Sequence, residues 1–276
     1  MKAAVILVLC GVLSGCAGVV ANSEHLEGVE ATLTPRGATY QDLVSLPPPA
    51  GRIFVSVYDF RDQTGQYRPA PASTFSTAVT QGAAAMLTGA LADSGWFIPL
   101  ERVGLQNLLT ERRIIRAEFE RFGRPDTLPS LRSASVMLEG GIIAYESNVR
   151  TGGAGAEYFG IGASGEYQVD QVTVTLRAVE ISTGEVLANV NTTKTIYSKE
   201  VRAGVYRFID FRRLLEAEVG MTTNEPVQLA VMSAIESSVI HLIARGVESR
   251  LWNLPAGMDI NQTLLSGYLN APIPKL

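Results

Sequence analysis

Alternation between apolar and polar residues in segment 171–181 constrains the fold of this chain more than any other feature. Val172 and Leu176 are among the apolar members, and threonine and arginine residues lie between them, as in a strand that buries one face. The next four residues, Ser-Thr-Gly-Glu at 182–185, predict a tight turn into a second strand at 186–190. Two further strands are predicted, at 53–60 and 136–145.

Helical periodicity is found in three segments, 75–93, 105–115 and 226–252. The last has Asn224 near its cap position and Pro226 in its first turn. Its part 227–244 is nearly long enough to cross a bilayer, but it carries Glu236 and His241. Polar and ionisable groups at membrane depth are costly, so we interpret this segment as a buried helix. Helices and antiparallel strands together place the chain in the α+β class.

Two polar segments show neither helical periodicity nor strand alternation and are predicted to be loops. Segment 62–73 contains Gly65, Pro69 and Pro71, which cannot continue the first strand. The second predicted loop is 119–133, between a helix and the strand at 136–145.

The N-terminus has the order of charge, apolar run and small residues that is typical of a secretory signal. Met1 and Lys2 precede an apolar run, 3–13, that is too short to span a bilayer as a helix. Leu-Ser-Gly-Cys at 13–16 then matches a lipobox, which predicts cleavage before Cys16 and acylation of its thiol. An ordinary secretory signal without lipid is the alternative.

Cysteine usage favours lipidation over a disulfide. The chain has two cysteines, and Cys10 lies in the predicted signal peptide, so one cysteine remains after cleavage. By resemblance to Gram-negative lipoproteins, Ala17 after the cysteine suggests the outer membrane. We therefore predict a chain organised as a signal peptide (1–15), a lipidated tether (16–51), an αβ domain (52–254) and a C-terminal tail (255–276).

Charge and motifs exclude several classes of function. The net charge is −4 and the basic residues are scattered, which does not favour nucleic-acid binding. The G-x-G-x-x-G string at 160–165 is followed by a strand-like pattern instead of the helix that a dinucleotide site requires. Arginine pairs at 112–113 and 212–213 are interpreted as solvated helix faces. No catalytic, cofactor-binding or metal-binding residues are predicted.

Two windows, 149–169 and 199–223, fit a compact αβ domain poorly. Each holds two stretches of about ten residues, the length of a tilted membrane strand. Tyr167 and Val169 alternate with polar residues, as in a barrel wall, although exposed hairpins of soluble proteins alternate in the same way. The residues that mark the two candidate membrane hairpins are Val149, Tyr158, Tyr167, Val169, Lys199, Val205, Tyr206 and Phe208.

Over residues 40–252 the chain resembles the CsgG family of curli secretion channels, which are outer-membrane lipoproteins. The strings that carry this resemblance are Ile-Phe-Val-Ser-Val-Tyr at 53–58, Trp-Phe-Ile-Pro-Leu-Glu-Arg at 96–102, Gly-Leu-Gln-Asn-Leu-Leu at 104–109, Tyr-Glu-Ser-Asn-Val at 145–149, Tyr-Phe-Gly-Ile-Gly at 158–162 and Asn-Glu-Pro-Val at 224–227.

The resemblance implies a periplasmic αβ domain from which two β-hairpins extend into an oligomeric transmembrane β-barrel. Each of nine subunits contributes four strands in this family, and our two windows correspond to the hairpins. It also implies an ATP-independent diffusion channel for unfolded curli-type amyloid subunits, with periplasmic and extracellular accessory factors and outer-membrane lipid as further partners. The alternative is a periplasmic envelope lipoprotein that binds a partner or acts as a scaffold without forming a pore.

In the family, the loop after the first strand narrows the channel with rings of tyrosine, asparagine and phenylalanine. Aligned without gaps from Ile53, those positions hold Ala70, Thr74 and Phe75 here. Only the phenylalanine is retained, so the resemblance implies a constriction with one aromatic and one hydroxyl ring. The alternative for Phe75 is that it starts the following helix and packs beneath it.

Overall fold

A computed structural model describes residues 31–67, 76–125, 128–152, 165–201, 205–208 and 225–271. The chain divides into two compact units, 1–34 and 35–276. Of the first unit only residues 31–34 are described, and they form neither helix nor strand. All further structural statements concern the second unit.

The second unit combines five α-helices and six β-strands within its described residues. The helices are α1 (Ala38–Val44), α2 (Ala83–Asp93), α3 (Leu105–Arg121), α4 (Glu225–Glu248) and α5 (Leu265–Leu269), with a 3₁₀ turn at Ile260–Gln262. The strands are β1 (Ile53–Asp62), β2 (Phe97–Leu100), β3 (Val136–Gly152), β4 (Gly165–Glu180), β5 (Val186–Val201) and β6 (Val205–Phe208).

One six-stranded sheet organises the molecule, with the strand order β2-β1-β3-β4-β5-β6. β1 pairs in parallel with β2 and β3, through crossover segments that contain helices. β3, β4, β5 and β6 pair antiparallel with one another. The turn between β4 and β5 lies at the predicted position, and Gly184 supplies its positive φ of 76°. The predicted α+β class and the four predicted strands are confirmed.

The hydrophobic core lies between the sheet and helices α2 and α4. On β4 the alternate residues Val172, Val174 and Leu176 are fully buried, as the sequence pattern predicted. α4 packs against β4 and β5, whereas α2 packs against β1 and β2. The inward faces of both helices add mainly aliphatic side chains to the same core.

Helix α4 is the one described helix that is long and apolar enough to cross a membrane, over Val227–Glu248. Core helices of soluble proteins pass the same test. Here 67% of the tested segment is buried inside the protein, and Ile235 and Ile240 are part of the core. The interpretation of this segment as a buried helix is confirmed.

The helix predicted at 75–93 begins eight residues later than expected, at Ala83. Side chains compete for backbone groups just before it: the Thr77 hydroxyl donates to the Val79 carbonyl, and the Thr80 hydroxyl accepts from the Gly82 N–H. Such bonds favour turns over helix. The buried stripe of α2 is Ala83, Leu87, Ala90 and Leu91.

The helix predicted at 226–252 ends at Glu248. Arg250 has a φ of 59°, and the Leu251 N–H donates to the Gly246 carbonyl at 2.8 Å, which is the termination pattern of a Schellman motif. Trp252 therefore folds back on the helix, where its indole N–H donates to the Ile243 carbonyl at 3.0 Å. The other helix prediction was too short, because α3 continues to Arg121, inside the predicted loop 119–133.

Two packed segments lie outside the limits 52–254 that the sequence suggested for the αβ domain. Leu43 of α1 comes from the predicted tether, and Leu265 of α5 from the predicted tail, yet both are fully buried. Helices α1 and α5 both pack against α4.

We predict that Gly246→Ala lowers the free energy of unfolding by about 1–3 kcal/mol, the usual cost of an overpacked core. A Cβ atom at Gly246 would lie 1.9 Å from the Trp252 ring, so the ring and the helix end must shift. Chemical denaturation measures the change.

Gly89→Ala is the matched control, because it lies within helix α2 and nothing is within 4 Å of its added Cβ. This variant should gain about 0.5–1 kcal/mol from the lower backbone entropy of the unfolded chain. Equal effects of the two substitutions would contradict the packing that we describe for Trp252.

Candidate functional site

Three neighbouring strands of the sheet are unusually long. β3 has 17 residues, and β4 and β5 have 16 each, so each extends about 50 Å. β3 and β4 pair from Val136↔Glu180 to Gly152↔Gly165, and β4 and β5 pair outward as far as Glu166↔Glu200. Strands that begin in the core therefore continue into the first candidate hairpin window, with one register shift between β3 and β4, at Ile142/Ala144.

The candidate hairpin residues are distributed over these strands as follows. Val149 pairs with Gln168, and Tyr167 pairs with both Arg150 and Lys199, while Val169 pairs with Asn148 and Tyr197. In the second window, Val205, Tyr206 and Phe208 belong to the short strand β6, which pairs with β5. Tyr158 and residues 209–223 lie outside the described residues.

Cross-strand polar contacts line one face of the sheet between β3, β4 and β5. The Thr173 and Thr193 hydroxyls are 3.0 Å apart, and the Thr175 hydroxyl donates to Asn189 Oδ1 at 3.3 Å. On the same face, Arg177 forms an ion pair with Glu139 of β3. Thr173 and Thr193, like Arg177 and Glu139, are directly opposed, whereas Thr175 and Asn189 are diagonal neighbours. Such cross-strand contacts stabilise one register over its alternatives.

The opposite face of the sheet, which packs against α4, changes from apolar to polar near the outer end of the packed region. Val172 and Val174 are buried beneath α4, but Asp170, two residues further out on the same face, is a carboxylate that is 4% exposed. The Tyr145 hydroxyl donates to Asp170 Oδ1 at 3.5 Å. The core therefore ends at a polar contact between β3 and β4.

Strand β1 accompanies β3 over only part of its length. Their register ends at Asp62↔Ile142, whereas β3 continues ten residues further, paired with β4. The sheet is open, because β2 and β6 are its two terminal strands. Beyond Ile142, the described part of the protein is thus a four-stranded antiparallel extension of the domain.

The loop after β1 is fastened at its base by Asp62. Oδ1 of Asp62 accepts from the Thr64 N–H at 2.9 Å and from the Thr64 hydroxyl at 2.7 Å, and Oδ2 accepts from Gln81 Nε2 at 3.1 Å. Tyr67 and Thr77 form an isolated antiparallel bridge, which brings the two ends of segment 68–75 together.

The three predicted constriction residues, Ala70, Thr74 and Phe75, fall in segment 68–75, outside the described residues. Residues 76–82, between that segment and the start of α2 at Ala83, are bends and irregular backbone with one bridge residue, Thr77. Cys16 also lies outside the described residues.

The described residues contain no group of three histidine, cysteine, aspartate or glutamate side chains that could hold a metal ion. His241 packs edge-on against Tyr268, with 5.0 Å between ring centroids, and burial lowers its pKa, with Arg245 adding to the shift. Strand β4 begins at Gly165, so a strand and not a helix follows the glycine-rich string at 160–165. Arg112, from the arginine pair at 112–113, donates a hydrogen bond to the Pro129 carbonyl.

Sequence reasoning missed one group of contacts altogether. Arg36, Thr39 and Asp42 were assigned to a tether, but all three make polar contacts with the helical layer. Their spacing of three residues, ahead of Leu43, was the signal that could have identified a packed helix.

These features define a class: a mixed α+β protein with one sheet whose long antiparallel strands β3, β4 and β5 continue beyond the part that pairs with β1. The chain belongs to the family described as "Curli production assembly/transport component CsgG", whose model matches residues 36–271. The family resemblance inferred from the sequence is confirmed.

Similar proteins include the curli production assembly/transport components CsgG of Citrobacter koseri, Salmonella typhimurium and Escherichia coli K12. Each is 54% identical to this chain over 278 residues, and each alignment covers 99% of both proteins. Among solved structures, the PelC dodecamer from Paraburkholderia phytofirmans is 14% identical and covers 71% of this chain and 91% of its own, with a TM-score of 0.29. A score this low supports no structural argument.

We predict that Asp62→Ala accelerates hydrogen exchange at the Thr64 and Ala78 amides by roughly tenfold, the effect of losing one or two charge-assisted hydrogen bonds. Thr64 loses its acceptor, and Ala78, which donates to the Gln66 carbonyl, lies in the part of the loop that Asp62 fastens. Asp59→Ala is the control, because Asp59 is exposed and forms a surface ion pair with Arg61. Similar exchange in both variants would contradict the role of Asp62.

Proposed function

We propose that this protein is the subunit of an oligomeric outer-membrane channel that secretes unfolded curli-type subunits by diffusion, without ATP. The observation that carries the proposal is the continuity of β3, β4 and β5 from the packed core into strands of membrane-spanning length. Family membership and 54% identity over nearly the whole chain to curli production assembly/transport components support it.

Strand direction favours a closed ring of subunits. β3 runs away from the core, β4 returns, β5 runs outward and β6 returns. If the outer edge of β6 in one subunit pairs with the outer edge of β3 in the next, all neighbours in the ring are antiparallel. The two edges differ, so the contact is head-to-tail, and repetition by rotation closes a ring.

Strand number makes such oligomerisation necessary in a membrane. A bilayer accepts strands only in closed barrels, because an open edge leaves backbone groups without hydrogen bonds in hydrocarbon. Four strands cannot close a barrel, since the smallest have about eight. The ten residues of β3 beyond Ile142 match the 9–11 residues that a tilted membrane strand requires. By family resemblance, nine subunits complete the barrel.

The loop after β1 supplies the constriction in this proposal. Rotational symmetry converts each residue of the loop into a ring of identical side chains. Ala70 in place of a tyrosine removes one aromatic ring, so Phe75 and Thr74 set the narrowest passage. Rings of aromatic and hydroxyl side chains offer contacts to any extended chain and hold no single side chain tightly. Accessory factors in the periplasm and outside the cell act at this conduit by family resemblance.

The acyl chain on Cys16 directs each subunit to the outer membrane, with the αβ domain in the periplasm. A glyceride on the Cys16 thiol contributes about 0.8 kcal/mol of membrane affinity for each buried methylene. In this proposal the lipid is a local anchor that raises the concentration of subunits at the membrane, and the hairpins provide insertion.

Phe75→Ala should raise the single-channel conductance in planar bilayers, because every subunit loses one aromatic ring from the narrowest passage. Thr74→Ser is the matched control: it removes one methyl group per subunit at the neighbouring position and should change the conductance much less. An unchanged conductance in Phe75→Ala would count against the assignment of this residue to the constriction.

Cys16→Ser should produce periplasmic oligomers that form no pores in the outer membrane, because the subunits are not delivered to it. Fractionation, followed by electrophoresis of unheated detergent extracts, separates membrane-inserted from soluble oligomers. Membrane channels formed efficiently by Cys16→Ser would refute the proposed role of the lipid. If the wild-type protein is monomeric in those extracts, the ring itself is wrong.

A further inference from the structure

A buried carboxylate interrupts the apolar surface of α4. Glu236 is 3% exposed and is adjacent in sequence to the core residue Ile235. Its carboxylate forms an ion pair with Arg36, whose Nη1 donates to Oε1 at 3.0 Å. Arg36 itself is more than one third exposed, so the ion pair extends from a buried position on α4 to the protein surface.

Arg36 belongs to a segment, 35–44, that is held on the helical layer by contacts three residues apart. The Thr39 hydroxyl is 2.9 Å from the Ser233 hydroxyl, and the Tyr268 hydroxyl donates to Asp42 Oδ2 at 2.8 Å. Leu43 fills the core beneath, and the Arg36 guanidinium lies 4.8 Å from the centre of the Tyr40 ring. One face of the segment therefore covers this part of α4.

The pKa of Glu236 depends on its burial and on the charges beside it. Burial raises the pKa of Glu236 to about 7, whereas the hydrogen bond and charge of Arg36 lower it and the charge of Asp93 raises it. Charged or titratable groups that face α4 from the elements packed against it are Arg36, Tyr40 and Asp42 on segment 35–44, Asp93 on α2, Asp170 and Lys194 on the strands, and Tyr268 on α5. Of these, Arg36 and Asp93 affect the pKa of Glu236.

We propose that Glu236 and Arg36 form a proton-controlled latch, in which segment 35–44 docks tightly on α4 when Glu236 is protonated and loosens as the pH rises through neutrality. Undocking removes the Arg36 guanidinium, which lowers the pKa of Glu236, and admits water, which removes the burial that raises it. Burial is the larger of the two effects, so the pKa falls toward its ordinary value of 4.5. The docked state thus binds the proton more tightly than the undocked state.

The sign of the pH dependence follows from this difference. A group whose pKa is higher in the docked state favours docking at low pH, and this contribution is lost as the pH rises through the docked pKa. With about 7 in the docked state and the ordinary value of 4.5 as the limit for the undocked state, the docking constant falls by up to about tenfold between pH 6 and pH 8. The segment lies within the predicted tether 16–51, on which we place the lipid, but the latch depends only on the packing of 35–44 and not on pore formation.

Hydrogen exchange of the full-length protein at pH 6, 7 and 8, corrected for intrinsic rates, tests the latch. Protection of amides in 38–45, including Ser45, whose N–H donates to the Gln41 carbonyl, should fall by up to about tenfold between pH 6 and pH 8 by proton linkage. Amides of the central strand β4 should keep constant protection. Glu236→Gln keeps an acceptor for Arg36 but cannot ionise. In this variant the protection of the amides in 38–45 should therefore stay constant over this pH range.

Glu248→Gln is the matched control, because Glu248 is an exposed acid at the end of the same helix, and its pH dependence should equal that of the wild type. Constant protection in the wild type, or equal pH dependence in Glu236→Gln, would overturn the latch. If Glu236→Gln does not fold, Arg36→Gln replaces it. Loss of the guanidinium raises the pKa of Glu236, so the fall in amide protection must move to higher pH. A fall in protection at the same pH as in the wild type refutes the proposal.

Discussion

The pairing of β3, β4 and β5 is the constraint on which the rest of the structure depends. Val172, Val174 and Leu176 are buried beneath α4, and a slip of one residue would turn them to the opposite face. The register between β3 and β4 shifts by one residue between Ile142 and Ala144, so the pairing in the core and this irregularity together set the alignment of the outer parts of the two strands. Polar contacts such as Thr173–Thr193 on the other face reinforce the pairing of β4 with β5.

Regular alternation made the central part of this sheet predictable, because one face of β4 meets an apolar helix while the other carries polar side chains. Helix ends were less predictable. The start of α2 depends on hydroxyl bonds from Thr77 and Thr80, and the end of α4 on a left-handed Arg250. Such local bonds compete with helical periodicity by about 1 kcal/mol, which pattern reasoning does not resolve.

Contacts between distant parts of the chain were not predictable from residue patterns. Arg36 and Glu236 are 200 positions apart, and neither residue has a pattern that identifies the other. The same limit applies to Trp252, which folds back on Gly246 and meets Phe97 edge-on at 5.7 Å between ring centroids. For the candidate site, sequence strings identified the family, but only the strand pairing showed that β3 and β4 continue from the core into the window 149–169.

The end of β1 connects the proposed constriction to the proposed barrel. The last pair between β1 and β3 is Asp62↔Ile142, and at this level β3 continues outward while the chain of β1 turns into the loop that Asp62 fastens. In a ring of such subunits the loops would emerge together where the barrel strands leave the domain. Because the loop is tied at its base, residues such as Ala70 and Thr74 can vary without disturbing the register of the sheet. The width of the passage can therefore evolve separately from the wall that encloses it.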